Sequence, residues 1–256
     1  MKKYTVITGA SAGIGLEFAK RLSAMGYNLV LVARREERLK KISKQLNTNC
    51  DIIPADLTLD SECYRVFEAV KDKRIAVFIN NAGFGNCGTF TESNLDKELD
   101  MIQLNVRAVH LLTKLMLKKM QERDSGCILN VASCAGLMPA GPYMAAYYAT
   151  KAYVASLTRA VAEELKESGS HVYIGCLCPG PVDTEFNRVA NVKFMMKGIR
   201  ADYCVKYALN QMSKRKVVII PTIPMKLAMT FGHFLPGSVY VRIAAKQQKK
   251  LSDKPE

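Results

Sequence analysis

Tyr147, Tyr148 and Lys151 stand within five residues of one another in the stretch YMAAYYATKAYVASL, residues 143–157. The stretch is Ala-rich and free of Gly and Pro, with apolar residues at helical spacing, so it predicts a helix. On a helix, residues i and i+4 share a face, which pairs Tyr147 with Lys151 and turns Tyr148 away by about 100° toward Ala152. An ammonium beside a phenol favours the phenolate and draws a pKa of about 10 toward neutrality. Tyr147 is therefore the candidate general acid or base of the two tyrosines. Two phenols and one ammonium also arise as plain core and surface, so the pair gains weight only from its neighbours.

A second group of residues suits an anionic nucleotide. TGASAGIG, residues 8–15, sets Gly9, Gly13 and Gly15 between an apolar run and a helical pattern. Small residues there let a pyrophosphate approach the backbone, and the helix N-terminus offers free N–H groups and positive dipole. The spacing T-G-x-x-x-G-x-G departs from G-x-G-x-x-G, although the mechanics match. About 20 residues further on, NAD-binding units carry an acid for the ribose hydroxyls. Here the run NLVLVA ends in Arg34 and Arg35. Guanidinium groups pair with a 2′-phosphate, which a carboxylate would repel, so the expected cofactor is NADP(H). Glu36 and Glu37 follow at once, and the alternative makes both arginines solvent-facing residues at the start of the next helix.

These groups need a frame to hold them. Apolar runs at 4–8, 28–33, 50–55, 75–80, 127–133, 172–178 and 216–220 alternate with amphipathic stretches at 16–25, 35–46, 61–72, 94–120 and 147–168. Several runs are apolar on both faces, as in a parallel sheet covered by helices on each side. The alternation predicts an α/β fold, a Rossmann-type doubly wound parallel sheet with right-handed crossovers. No linker interrupts it, so the 256 residues are expected to form one domain. Ligands of such sheets lie at the carboxyl ends of the strands. There the chain places TGASAGIG, ARR, ADL, NNAG, NVASCAG and CPGPVDT in turn.

Composition excludes several other classes. The chain is 49% hydrophobic and 23% charged, ordinary values for a soluble globular protein. Gly9 and Gly13 interrupt the N-terminus before a long apolar region develops, so no signal peptide is read and a cytoplasmic location is expected. None of the eight cysteines forms a C-x-x-C pair and the histidines are scattered, so no metal site is expected. The net charge is +14, but its lysines and arginines are spread over helical faces without interleaved aromatics. That pattern reads as a solvated surface rather than a nucleic-acid interface.

With T-G-x-x-x-G-x-G at 8–15, N-N-A-G at 80–83, Asn105, Ser133, Y-x-x-x-K at 147–151 and P-G at 179–180, the chain resembles the short-chain dehydrogenase/reductase family, in its short single-domain branch. The resemblance implies catalytic roles for Asn105, Ser133, Tyr147 and Lys151. Tyr147 would exchange a proton with the substrate oxygen while hydride passes between nicotinamide and the substrate carbon. Ser133 would hydrogen-bond that oxygen. Lys151 would bind the nicotinamide ribose and tune Tyr147, and Asn105 would hold a bend in the long fourth helix and a water. Ser11 and Ile14 would join the three glycines along the pyrophosphate, with Asp56 and Leu57 beside adenine. Asn81, Ala82 and Gly83 would pass under the adenosine ribose, and Pro179, Gly180, Val182 and Thr184 would hold the nicotinamide carboxamide. Asp56 as a cap, Asn81 as a turn and Pro179 as a strand stop are the plain alternatives. The interval from Ser133 to Tyr147 is one residue longer than the family's commonest spacing, which would land on Ala146. A one-residue insertion in the loop CAGLMPAGPYMA accounts for it.

By the same resemblance the segment 184–200 is expected to close over substrate, with Phe186, Phe194, Met195 and Met196 as apolar walls, core packing being the equal alternative for these residues. They suit a hydrophobic ketone or secondary alcohol, hydroxysteroid-like or 3-oxoacyl-like. Residues 217–241 are apolar but broken by Pro221, Pro224 and Pro236 and interrupted by Lys226 and His233, so they do not read as a membrane span. The extension 221–256 is expected to hold two short helices, Pro224 to Leu235 and Ser238 to Leu251, shielding an apolar substrate. Peripheral membrane contact through the basic end is the less favoured role. Family members pair through helices equivalent to 94–120 and 147–168, where Leu111, Leu112, Leu115, Met116, Tyr153, Leu157 and Val161 lie, so a homodimer or homotetramer is expected. The alternative of a different class is a catalytically idle NADP(H)-sensing or scaffold protein on the same fold, against which the complete tetrad argues.

Overall fold

The apolar runs become strands because their β-branched and leucine side chains are buried on two sides at once. The structure, a computed structural model, describes residues 3–232, 234–246 and 248–250. In chain order the first half runs β1 (Tyr4–Thr8), α1 (Gly13–Ala24), β2 (Asn28–Ala33), α2 (Glu36–Ser43), β3 (Cys50–Pro54), α3 (Asp60–Val70) and β4 (Ile75–Asn80). Then follow α4 (Leu95–Ile102), a π-helical segment (Gln103–Ala108), α5 (Val109–Gln121), β5 (Cys127–Val131), a 3₁₀ turn (Cys134–Leu137), α6 (Ala145–Glu167) and β6 (Tyr173–Leu177). The remainder is β7 (Val182–Asp183), α7 (Phe186–Val189), β8 (Val192–Phe194), β9 (Ile199–Arg200), α8 (Ala201–Ser213) and β10 (Val218–Ile219). It closes with α9 (Ile223–Gly232), α10 (Gly237–Lys246) and β11 (Gln248–Lys250).

The main sheet has the order β10-β6-β5-β4-β1-β2-β3, and every pair in it is parallel. The chain winds outward from β1 to β3, then restarts beside β1 at β4. This reversal opens a crevice at the carboxyl ends of β1 and β4, where α/β sheets bind their ligands. Strand period decides which residue meets which layer. Ile7, Leu31, Ile79 and Leu129 pack with Phe18 and Leu22 of α1 and Val205 of α8. Val6, Val30, Phe78 and Ile128 pack on the other face with Val66 of α3 and Leu112 and Met116 of α5. Each such side chain contributes about 1.5–3 kcal/mol when fully buried.

Four elements differ from the sequence reading. Helix α8 is an addition, with Cys204, Val205, Ala208 and Met212 buried along one face. The helix expected over 94–120 is interrupted by the π-helical segment. Leu112 and Met116, expected on a pairing surface, are spent in the chain's own core. The final helix stops at Lys246, and the chain turns into β11, which pairs antiparallel with β8 and so fastens the extension to the 182–200 segment. His233 and Leu251 lie outside the described residues. Among the described residues no helix is long and apolar enough to cross a membrane.

Candidate active site

The loop between β1 and α1 is shaped for an anion. Gly9 and Gly13 adopt φ of +65° and +55°, a region that L side chains rarely occupy. Helix α1 starts on Gly13 with Ala12 at its N-cap, no side-chain cap and no acid in its first turn. Its first N–H groups are thus left for a ligand. A Cβ on Gly9 would lie 2.7 Å from Asn81 Nδ2, and one on Gly83 would lie 2.7 Å from Asn105 Oδ1. Gly15 backs directly onto the Gly9 carbonyl. Asn81 donates from Nδ2 to the Thr8 carbonyl at 2.9 Å, fixing the loop after β4 against the end of β1. The chemistry and the close backbone approach fit a dinucleotide.

At the end of β2 the two arginines part ways. Arg34 reaches toward Asp56, with Nη1 3.9 Å from Oδ2, and Asp56 also accepts from the Thr58 N–H and hydroxyl at 3.1 and 2.9 Å. Arg35 donates to Ser11 Oγ from Nε and Nη2, at 3.3 and 3.1 Å, and to Glu185 Oε2 from Nη1 at 3.0 Å. Arg38, one helical turn on, donates to Glu185 Oε1 at 2.8 Å. The Arg38 and Arg35 guanidinium groups hold the Glu185 carboxyl below its usual range. Two guanidinium groups closing on one carboxylate mark an anion site beside the phosphate loop. Neither Arg38 nor Glu185 stood out in the sequence. Arg38 was signalled by its spacing from Arg35, whereas Glu185 comes from far along the chain.

The Tyr/Lys pair lies at the opposite end of the crevice. Tyr147 and Lys151 are both buried on α6, and Lys151 Nζ stands 5.8 Å from the Tyr147 ring centroid. Nζ donates to the Val131 carbonyl at the end of β5, at 2.9 Å. Ser133, just past that strand, caps the 3₁₀ turn, accepts from the Ala135 N–H at 3.1 Å and donates to the Pro179 carbonyl at 3.5 Å, with its hydroxyl near enough to the Tyr147 phenol to favour the phenolate. Gly136 in the same turn packs so closely on the Lys151 carbonyl that a Cβ there would overlap it. The expected lowering of the Tyr147 pKa does not occur. Burial pushes the phenol well above its usual value, and the nearby Ser133 hydroxyl opposes this only in part. The Lys151 ammonium is engaged by the Val131 carbonyl, and burial pushes it down to about 8.

Asn105 sits wholly buried in the π-helical segment. Its Nδ2 donates to the Phe84 carbonyl at 2.8 Å and to Thr150 Oγ1 at 3.1 Å, while its Oδ1 accepts from the Phe84 N–H at 3.1 Å. Thr150 in turn donates to the Tyr147 carbonyl at 2.7 Å. A π turn inserts an extra residue and reorients its neighbours, a device frequent at functional sites. It is the bend expected at Asn105. In the Ser133–Tyr147 loop Tyr143 takes φ +66° one residue before the N-cap of α6. Tyr147, rather than Tyr148, lies beside Ser133.

All the nominated catalytic and cofactor-binding residues except Gly15 and Asn105 line one cavity of ≈ 620 Å³. Pro179 accepts from the Cys134 N–H at 2.9 Å, and Val182 and Thr184 follow along the rim. Phe186, Phe194 and Met196 wall the cavity, with the Phe186 ring centroid 5.4 Å from that of Tyr147. Met195 is not among its walls; it is 64% exposed and faces a second cavity. The extension adds Met225, Met229, Tyr240 and Gln248.

The depressed Lys151 pKa has a consequence for stability. Below about pH 8 the folded chain carries the full cost of a buried ammonium. Between about 8 and the usual 10.5 the folded lysine is neutral while the unfolded one still binds its proton. Stability from this group therefore rises with pH across that window. Thermal denaturation of the wild type and Lys151→Met in parallel cancels the thiols and phenols common to both. The wild type is expected to gain on the variant between about pH 8 and 10. A gap independent of pH contradicts a buried ammonium.

A family model described as short chain dehydrogenase matches residues 3–193. An uncharacterised oxidoreductase of Staphylococcus epidermidis is 36% identical over 185 residues, 72% of this chain and 79% of its own. Human 17-beta-hydroxysteroid dehydrogenase type 3 is 34% identical over 220 residues, 82% of this chain and 68% of its own. The human protein named inactive hydroxysteroid dehydrogenase-like protein 1 is 33% identical over 196 residues, 74% of this chain and 58% of its own. A solved short-chain dehydrogenase from Sphingobium yanoikuyae in complex with NADPH matches with a TM-score of 0.81 at 30% identity, covering 91% of this chain and 93% of that one.

Proposed function

The chain belongs to the short-chain dehydrogenase family, and on that premise we propose that it interconverts a bulky apolar ketone and its secondary alcohol using NADP(H). The observation that carries this reading is the Ser133–Tyr147–Lys151 group, with Tyr147 and Lys151 buried, lining one cavity together with Arg35 and the glycine loop. A bound nicotinamide cofactor supplies the hydride donor for reduction, or the acceptor for oxidation. Tyr147, kept protonated by burial, donates its phenolic proton to the carbonyl oxygen. Ser133 hydrogen-bonds the same oxygen and the phenol, stabilising charge as it develops. Lys151 holds ribose hydroxyls and places a positive charge beside the phenolate left behind. Asn105 positions this group by tying α6, through Thr150, to the loop at Phe84.

Gly9, Ser11, Gly13, Ile14 and Gly15 shape the pyrophosphate site. Asp56 and Leu57 would hold the adenine, and Asn81, Ala82 and Gly83 its ribose. Pro179, Gly180, Val182 and Thr184 orient the nicotinamide. Arg35, Arg38 and Ser11 form the 2′-phosphate site, with Arg34 at its margin. The NADPH complex of the Sphingobium yanoikuyae protein supports this cofactor. An apolar substrate is supported by Phe186, Phe194 and Met196 from the 184–200 segment and Met225 and Met229 from the extension. The hydroxysteroid dehydrogenase relative suits a steroid-sized ketone. A second reading, an idle NADP(H)-binding protein, is favoured by the relative named inactive. The intact Ser133–Tyr147–Lys151 group supports the active one. We further propose a cytoplasmic homodimer or homotetramer, for which α4 and α6 offer exposed Leu95, Leu99, Ile102 and Tyr153.

Incubation with NADPH and a panel of steroid and long-chain ketones tests the proposal. Cofactor consumption matched by alcohol formation on at least one apolar ketone is expected. Tight NADPH binding with no turnover across the panel favours the idle reading.

A further inference from the structure

The proposed reaction uses Tyr147 and leaves Tyr148 without a task, although Tyr148 is equally buried. The two rings meet edge to face with centroids 6.4 Å apart, so Tyr148 adjoins the reacting end of the cavity while its hydroxyl points elsewhere. Its partner is Gln248, a hundred residues away in β11, whose Nε2 donates to the Tyr148 hydroxyl oxygen. The same Nε2 lies 3.4 Å from the Ala244 carbonyl, an acceptor that fixes which end of the amide is nitrogen. Gln248 is 3% exposed, and its Oε1 has no hydrogen-bond partner among the described residues. Both side chains line the cavity that holds Tyr147.

An amide oxygen buried without a partner costs about 1–3 kcal/mol and seldom persists without a reason. Methionine or leucine at this position would avoid that cost. The Tyr148 hydroxyl accepts from Gln248 and so keeps its own hydrogen to donate. An acceptor without a partner among the described residues, Gln248 Oε1, and a donor, the Tyr148 hydroxyl, thus belong to two hydrogen-bonded residues of the cavity lining. A carbonyl can only accept and an ammonium can only donate, whereas a hydroxyl does both.

We propose that Gln248 and Tyr148 form a second polar subsite, which binds a hydroxyl group of the substrate remote from the reacting carbonyl. The preferred substrates are then apolar hydroxyketones, and apolar diols in the reverse direction. The inference rests on the ketone–alcohol reading above and narrows it. It gives the extension a recognition role, because pairing of β11 with β8 brings Gln248 to the cavity.

The test uses two matched pairs of probes: a steroid ketone with a hydroxyl on the ring farthest from the ketone and its deoxy counterpart, and a long-chain ketone with and without a terminal hydroxyl. In the wild type, kcat/KM for the hydroxylated member of at least one pair is expected to exceed that of its partner by about 10-fold or more, because the deoxy compound leaves buried polar groups unpaired. Gln248→Met and Tyr148→Phe should each bring that ratio toward one. Equal kcat/KM within both pairs in the wild type overturns the inference. So does a wild-type preference that survives in both variants, which would give Gln248 a packing role. Calorimetric binding of the same compounds to the NADPH-loaded protein reads the subsite without turnover. If no ketone is reduced, the function fails, yet tighter binding of the hydroxylated compound still supports the subsite and equal binding still overturns it.

Discussion

Tyr147→Phe is expected to lose at least ~100-fold in kcat, the scale of a missing acid–base group, with kcat/KM falling in step. The substitution keeps the ring, its packing on Phe186 and the fold of α6, and removes the hydroxyl whose proton the reaction transfers. Proton transfer is needed in the transition state rather than in the bound ground state, so NADPH affinity should stay within a few-fold. Tyr148→Phe is the contrasting case. Its hydroxyl contacts Gln248, so its effect should appear in the choice among substrates and be small in kcat. Steady-state kinetics of the two variants decide between the tyrosines. A dead Tyr148→Phe beside an active Tyr147→Phe would overturn the assignment.

The double substitution Arg35→Ala/Arg38→Ala is expected to weaken NADPH about 100-fold and NADH only a few-fold, since each charge-assisted hydrogen bond is worth about 1.5–3 kcal/mol. Both guanidinium groups converge on Glu185, and Arg35 also holds Ser11 of the phosphate loop. A 2′-phosphate would compete with the Glu185 carboxylate for these donors, so Glu185→Gln should shift preference further toward NADPH. Arg34, the nearer candidate in the sequence, leaves 68% of its side chain exposed and stands 3.9 Å from Asp56, so Arg34→Ala should matter less. Titrations of both cofactors by fluorescence supply the comparison. Equal losses for the two, or a wild-type preference for NADH, contradict the assignment.

Local patterns carried most of the frame. The runs YTVIT, NLVLVA and IAVFIN coincide with β1, β2 and β4, because strands buried on both faces must be apolar throughout. The i, i+4 spacing placed Tyr147 with Lys151 for the same reason, being a property of one helix. What escaped depends on residues far apart. Gln248 acquires its meaning from Tyr148, and Glu185 from Arg35 and Arg38, through folding that no local window contains. Strand β11 needs its partner β8, whereas the preceding helices were legible from their own spacing. The Tyr147 pKa was misjudged for a related reason. Proximity to Lys151 can be read from spacing, but the burial that outweighs it, and the Val131 carbonyl that engages the ammonium, belong to the tertiary structure.

The most direct test of the central claim follows the hydride itself. Wild-type protein is incubated with NADPH deuterated at the transferable nicotinamide position and an apolar ketone, and the alcohol is analysed by mass spectrometry. The account predicts one deuterium in each product molecule, at the carbinol carbon, formed as NADPH is consumed and nearly abolished by Tyr147→Phe. Product without deuterium, or label transfer undiminished in Tyr147→Phe, would contradict it.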